Sequence, residues 1–172
     1  MLLRHASANV SGFGQDNDFE KPLDIQGKID SKKLSEWFMA NFIKLDIIFS
    51  SNAKRALQTS EIVFKPLGVN IQKKSTFYLC NHEEIVSSIK KIDDNFNNVV
   101  LVGHEPSISD TMRALTGSCR PDLKNFLNIP YEPCTISFIH FNLTRWMDLD
   151  ERIGTMEEYL HPNLINMKNE KT

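Results

Sequence analysis

Val99-Val100-Leu101-Val102-Gly103-His104-Glu105-Pro106 holds a strand, its end and a helix start within eight residues. Four apolar residues in a row, without polar alternation, mark a strand covered on both faces, as in the parallel sheets of α/β folds. Pro106 then suits a first helical position. The same arrangement occurs twice more. Met1-Leu2-Leu3 leads into Arg4-His5-Ala6, and Asp46-Ile47-Ile48-Phe49 leads into Ser50-Ser51-Asn52-Ala53-Lys54-Arg55. Ligands of open α/β sheets bind outside the carboxyl ends of the strands. Three strand ends therefore bring His5 with Arg4, Arg55 and His104 towards one crevice. Two imidazoles and two guanidiniums, with no acid cluster beside them, describe a site for a phosphoryl group.

Working outward, amphipathic helices alternate with these strands. Leu34, Trp37, Phe38 and Phe42 repeat at helical spacing from Asp30 to Phe42. A second helix carries Ala53, Ala56, Leu57, Val63, Phe64 and Leu67, with N-caps offered by Ser50 to Asn52 and a stop at Gly68. Asn81 and Glu84 have capping-box spacing ahead of Ile85, Val86, Ile89 and Ile92. A fourth helix runs from Pro106 through Ile108, Met112 and Leu115 to Gly117. Short strands are expected at Val69 to Ile71, Thr135 to Phe141 and Trp146 to Leu149. The polar stretch from Val10 to Gly27 is read as a long loop, of the length class that is usually functional or disordered. Together these elements predict a three-layer α/β/α sandwich with a mostly parallel central sheet. Residues 1–162 are expected to form a single domain, followed by a loose polar tail over 163–172.

The 172 residues are 41% hydrophobic, enough for one sizeable core, and the net charge is −2. No global field draws in nucleic acid or an anionic membrane, so anion binding must be local. Cys80, Cys119 and Cys134 form no Cys-x-x-Cys pair and suit reduced thiols. With no signal-peptide pattern and no apolar run of membrane-spanning length, the expectation is a cytoplasmic protein.

Four motifs resemble those of the histidine phosphatase superfamily, the phosphoglycerate mutase-like group. Leu3-Arg4-His5-Ala6 is similar to its Arg-His-Gly or Arg-His-Ala signature. Ser50 to Thr59 is similar to its Ser-Pro-x-x-Arg-Ala-x-x-Thr segment, and Leu101 to Pro106 to its second-histidine motif. Lys21-Pro22-Leu23-Asp24-Ile25-Gln26-Gly27 resembles the Arg-Pro-Leu-Thr-x-x-Gly element of the small SixA-like phosphohistidine phosphatase branch. The resemblance spans residues 2 to about 162.

It implies a phosphoglycerate mutase-like fold and a metal-independent, cofactor-free phosphatase. His5 would be the nucleophile, Arg4 and Arg55 the phosphoryl clamp, and His104 a stabiliser of the transition state. Lys21, in place of the branch's arginine, would be a weaker phosphate contact. Asp24 stands for threonine and Asn52 for the common proline. Scattered His82, His140 and His161 are expected outside the site. The general acid of larger relatives has no clear counterpart. Glu83 and Glu84 lie nearest to that segment, but a helix start explains both. Without a strong acid, an imidazole leaves more readily than an alkoxide, which favours phosphohistidine on a protein as substrate. The alternatives are a hydrolase or mutase of small phosphorylated metabolites, and a non-catalytic phospho-binding module.

Overall fold

The computed structural model describes residues 1–9 and 15–169. One seven-stranded sheet divides two layers of helices. Its strands are β1 (Leu2–Arg4), β2 (Ile47–Ser51), β3 (Ile71–Lys74), β4 (Val99–Gly103), β5 (Thr116–Cys119), β6 (Ile136–His140) and β7 (Gly154–Leu160). The order across the sheet is β3-β2-β4-β1-β6-β7-β5. β3, β2, β4 and β1 are mutually parallel, with Leu2 opposite Leu101 and Ile48 opposite both Ile71 and Val100. β6 runs antiparallel to β1 and to β7, and β5 lies parallel to β7. The expected α/β/α layering and mostly parallel sheet are present.

The apolar runs work because side chains alternate faces along a strand. Leu2, Ile47, Phe49, Val99 and Leu101 face a layer containing α3 (His82–Ile89) and α4 (Ser107–Leu115). Leu3, Ile48, Val100 and Val102 face a layer built from α1 (Ile25–Ala40), α2 (Lys54–Phe64) and α5 (Pro162–Asn169). Leu34 and Phe38 of α1 and Val63 and Phe64 of α2 are fully buried there. Each such side chain contributes about 1.5–3 kcal/mol of transfer free energy.

Several boundaries differ from those read in the sequence. α1 starts at Ile25, not Asp30, because the Asp24 carboxylate accepts a hydrogen bond from the Gly27 N–H at 2.6 Å and caps the helix. The expected loop over Val10 to Gly27 is thereby shortened, and a 3-10 segment, Gln15–Glu20, lies within it. Val10 to Gly14 fall outside the described residues. Ser50 and Ser51 do not cap α2 but end β2, and the N-cap residue is Ala53, without a side-chain bond. Gly68 does close this stretch, at φ 70°. β3 occupies Ile71–Lys74 rather than Val69 to Ile71. α4 ends at Leu115 and passes directly into β5, so Gly117 lies in a strand rather than at a helix stop.

Trp146 to Leu149 is no strand. Trp146–Asp148 is a 3-10 turn, fixed by the Trp146 N–H to Asp94 and the indole N–H to the Phe96 carbonyl. The last strand is β7, whose Glu157-Glu158 pair interrupts the apolar pattern. The chain past Pro162 was expected to be loose, but α5 forms there and buries Ile165 in the same apolar layer as Leu34 and Phe38.

Candidate active site

The carboxyl ends of β1, β2 and β4 gather the candidate side chains, as strand order requires. His5 follows β1, and its backbone is held on both sides. Its N–H donates to the Gly103 carbonyl at 3.0 Å, and its carbonyl accepts from Cys134 at 3.1 Å. The ring Nδ1 lies 2.8 Å from the Ala6 carbonyl, which can only accept, so Nδ1 carries the proton and Nε2 keeps its lone pair. The Arg55 Nε–H points at that lone pair from 3.1 Å. His104, after β4, places its ring 4.9 Å from the His5 ring. Its Nε2 meets the Ser51 hydroxyl at 2.8 Å, while its buried Nδ1 has no partner among the described residues. With Ser51 donating, that Nδ1 carries the proton.

Both rings are neutral at pH 7. Burial, assisted by Arg55 and Arg4, lowers His5 to about 4, although the Ala6 bond opposes the shift. Burial, then His5 and the arginines, lowers His104 to about 3. A neutral imidazole is the form a nucleophile needs, and burial, more than the nearby cations, keeps His5 in that form.

Arg4, the last residue of β1, donates from Nη1 to the Tyr131 carbonyl and keeps a buried Nε without a partner among the described residues. Burial lowers its pKa, with Glu105 and Tyr159 opposing. Arg55 lies in the first turn of α2, where a cation opposes the helix dipole unless an anion is near. Here the anion is internal. The Asp18 carboxylate accepts from Arg55 Nη2 at 2.9 Å, and the Asp18 carbonyl accepts from Nη1 at 2.6 Å. Lys21 Nζ lies 3.0 Å from the other carboxylate oxygen, and the Tyr78 hydroxyl donates to Asp18 at 3.0 Å. Burial pulls the Asp18 pKa up, but the bonds from Lys21, Tyr78 and Arg55 outweigh it and hold the group at about 2.

The structure therefore brings His5, His104, Arg4 and Arg55 together and attaches Lys21 to them through Asp18. The sequence reading placed no carboxylate beside these cations, and Asp18 lies there, but it is held ionised and leaves the place of a general acid unfilled. The clue was present in the sequence. A first-turn arginine calls for an anion, and the preceding polar loop offered Asp16, Asp18 and Glu20. Tyr78, Ser51 and the Tyr131 carbonyl were also missed, and no local pattern announces them. Glu83 and Glu84 are committed elsewhere. Glu84 completes the capping box with Asn81, both bonds at 2.9 Å, and Glu83 meets His82 Nδ1 at 3.2 Å.

The supporting motif residues hold backbone rather than ligand. Thr59 Oγ1 accepts from the Ala6 N–H at 3.0 Å and donates to the Arg55 carbonyl at 2.8 Å. Gln58 accepts from the Leu23 N–H at 2.8 Å. Asp24, besides capping α1, accepts from Ser7 Oγ. A Cβ on Gly27 would lie 2.1 Å from the Ser7 carbonyl oxygen, so only glycine admits this approach. A cavity of 570 Å³ lies away from this chemistry, among Met1, Asn98, Leu115, Phe141 and Trp146. It contains none of the candidate side chains.

Residues 1–78, which hold three of the four motifs, match the family model of the histidine phosphatase superfamily (branch 1). An uncharacterized protein of Mycobacterium leprae is 25% identical over 118 residues, which are 67% of this chain and 72% of that protein. An uncharacterized protein of Mycobacterium tuberculosis is 28% identical over 108 residues, 62% of this chain and 65% of that one. The fold is shared with a protein described as phosphohistidine phosphatase SixA from Agrobacterium tumefaciens, at TM-score 0.76 and 24% identity, covering 94% and 96% of the two chains. It is also shared with the protein histidine phosphatase SixA complexed with tungstate, at TM-score 0.75, 16% identity and coverage of 94% and 96%. No helix among the described residues is long and apolar enough to cross a membrane.

Proposed function

We propose, from the match of residues 1–78 to the histidine phosphatase superfamily and from the site just described, that this protein is a phosphatase working through a phosphohistidine on His5. Its substrate is phosphohistidine carried by another protein. The observation that carries this reading is the His5 ring, whose Nδ1–H is tied to Ala6 while its Nε2 lone pair faces the crevice beside Arg55 and His104.

In the reaction, Arg55 exchanges Asp18 for the phosphoryl oxygens and uncovers Nε2. Arg4 and Arg55 neutralise the equatorial oxygens, and His104 Nδ1–H donates to one of them. Nε2 forms a bond to phosphorus as the bond to the leaving group breaks. Water then attacks phosphorus, and the electron pair of the P–N bond returns to Nε2. The charge that a metal would supply comes from guanidiniums, so the reaction needs no divalent ion. Lys21 adds a weaker cation at the mouth.

The test is a rapid acid-free quench during turnover of a phosphohistidine peptide, followed by mapping of alkali-stable phosphate on the protein. Label on His5, with activity surviving EDTA, is the expected result. Turnover without label would remove the covalent route, and anion binding without turnover would make the chain a binding module. A preference for phosphoglycerate over the peptide would move the reading to a metabolite hydrolase or mutase.

A further inference from the structure

We propose that Asp18, with the rings of Tyr78 and Phe19, forms a leaving-group subsite that favours a protonated imidazole and disfavours carboxylate-bearing leaving groups. This inference rests on the phosphatase reading above and concerns what that site accepts beyond the phosphoryl group.

Asp18 is the carboxylate that the sequence did not place in the site. Its side chain is 37% exposed, so it stands at the mouth, yet it reaches inward to Arg55. Its bonds keep it ionised. The phosphoryl group requires the Arg55 fork, so its arrival leaves Asp18 bound to Lys21 and Tyr78 with an acceptor position vacated. The rings beside it form a continuous line. Phe19 meets Tyr78 edge-to-face at 5.1 Å, Tyr78 meets His104 at 5.5 Å, and His104 meets His5 at 4.9 Å. A heteroaromatic leaving group pointing outward from His5 would pass along this wall.

The chemistry makes a carboxylate there useful. A phosphorylated imidazole departs as a neutral ring when its distal nitrogen carries a proton. A carboxylate accepting that N–H favours the protonated form. As the P–N bond of the substrate breaks, its electron pair stays on the departing nitrogen, and the distal proton remains in place. His5 gains the phosphoryl group on Nε2 and keeps its own Nδ1 proton on the Ala6 carbonyl. No proton is consumed, and the two imidazoles exchange the phosphoryl group under matched hydrogen bonds. A leaving group bearing its own carboxylate would instead meet Asp18 as a like charge.

The test measures kcat/KM for an N-phosphohistidine peptide, p-nitrophenyl phosphate and 3-phosphoglycerate. In Asp18→Asn the ratio of peptide to p-nitrophenyl phosphate should fall at least tenfold, and that of 3-phosphoglycerate to p-nitrophenyl phosphate should rise several-fold. Tyr78→Leu, which keeps the carboxylate, should lower the first ratio about threefold and decides the matter if Asp18→Asn does not fold. Parallel losses on all three substrates would overturn the subsite and leave Asp18 as a positioning residue for Arg55. A wild type inactive on every substrate would overturn the phosphatase reading itself, and this inference with it.

Discussion

The two halves of the sheet divide the labour unequally. In the half formed by β3, β2, β4 and β1, β2 and β4 are buried along their whole length, and β1, β2 and β4 end on His5, Arg55 and His104. In the other half, β5 and β7 mix exposed and buried positions, and the segment before β6 meets the site through backbone groups, the Tyr131 carbonyl on Arg4 and the Cys134 N–H on His5. Strands covered on both faces hold their ends rigidly and exclude water, so they can aim a nucleophile. Strands with a solvated face close the core and can vary in sequence. Chemistry and stability should therefore separate between the halves.

The strongest test of that separation is His5→Ala. Removing a nucleophile costs roughly a thousandfold or more in turnover. The loss should come with only a modest change in the thermal unfolding midpoint, because the two backbone hydrogen bonds of His5 survive the substitution. Substantial residual turnover in the folded variant would show that the end of β1 does not carry the chemistry.

Met156→Ala probes the other half. Met156 is fully buried in β7, and truncation there should cost about 2–5 kcal/mol in chemical denaturation. The rate per folded molecule should stay within twofold of wild type. A large fall in that rate would mean that the half formed by β6, β7 and β5 shapes the site.

A smaller effect sharpens the contrast by pH. His5 titrates at about 4 in the fold against 6.5 for the free side chain. The acid limb of kcat/KM should therefore fall near pH 4, since protonating Nε2 removes the nucleophile. The unfolded chain binds more protons than the native one across pH 6.5 to 4. Stability consequently decreases as pH drops through that window, and His104, at about 3, extends the loss further down. A limb near pH 6.5 would show that burial does not govern His5.

Much of the site was legible because its signals are local. An uninterrupted apolar run followed by histidine marks a buried strand end, and His5 and His104 could be placed on that ground alone. The capping box at Asn81 and Glu84 was equally plain, since both members lie within one turn. β7 was not legible. Its acidic pair breaks the alternation, and the apolar Trp146 nearby offered a false strand. α5 escaped for the same reason, because one buried isoleucine in a polar segment carries no period.

By itself, then, the sequence determined the layered fold, the convergence of three strand ends and the cationic character of the crevice. Apolar period, caps and strand termini are written within a few residues of each other. Only the tertiary structure decided that Asp18 occupies Arg55, that Tyr78 stands over His104, and that Ala6 fixes the His5 tautomer. The first two join residues 37 and 26 positions apart, and the third depends on how the chain turns after β1. A local pattern can call for a partner, as the first-turn Arg55 calls for an anion, but it does not fix which residue fills such a contact. These contacts exist because packing the two helical layers onto one sheet brings distant loops to the same end of it.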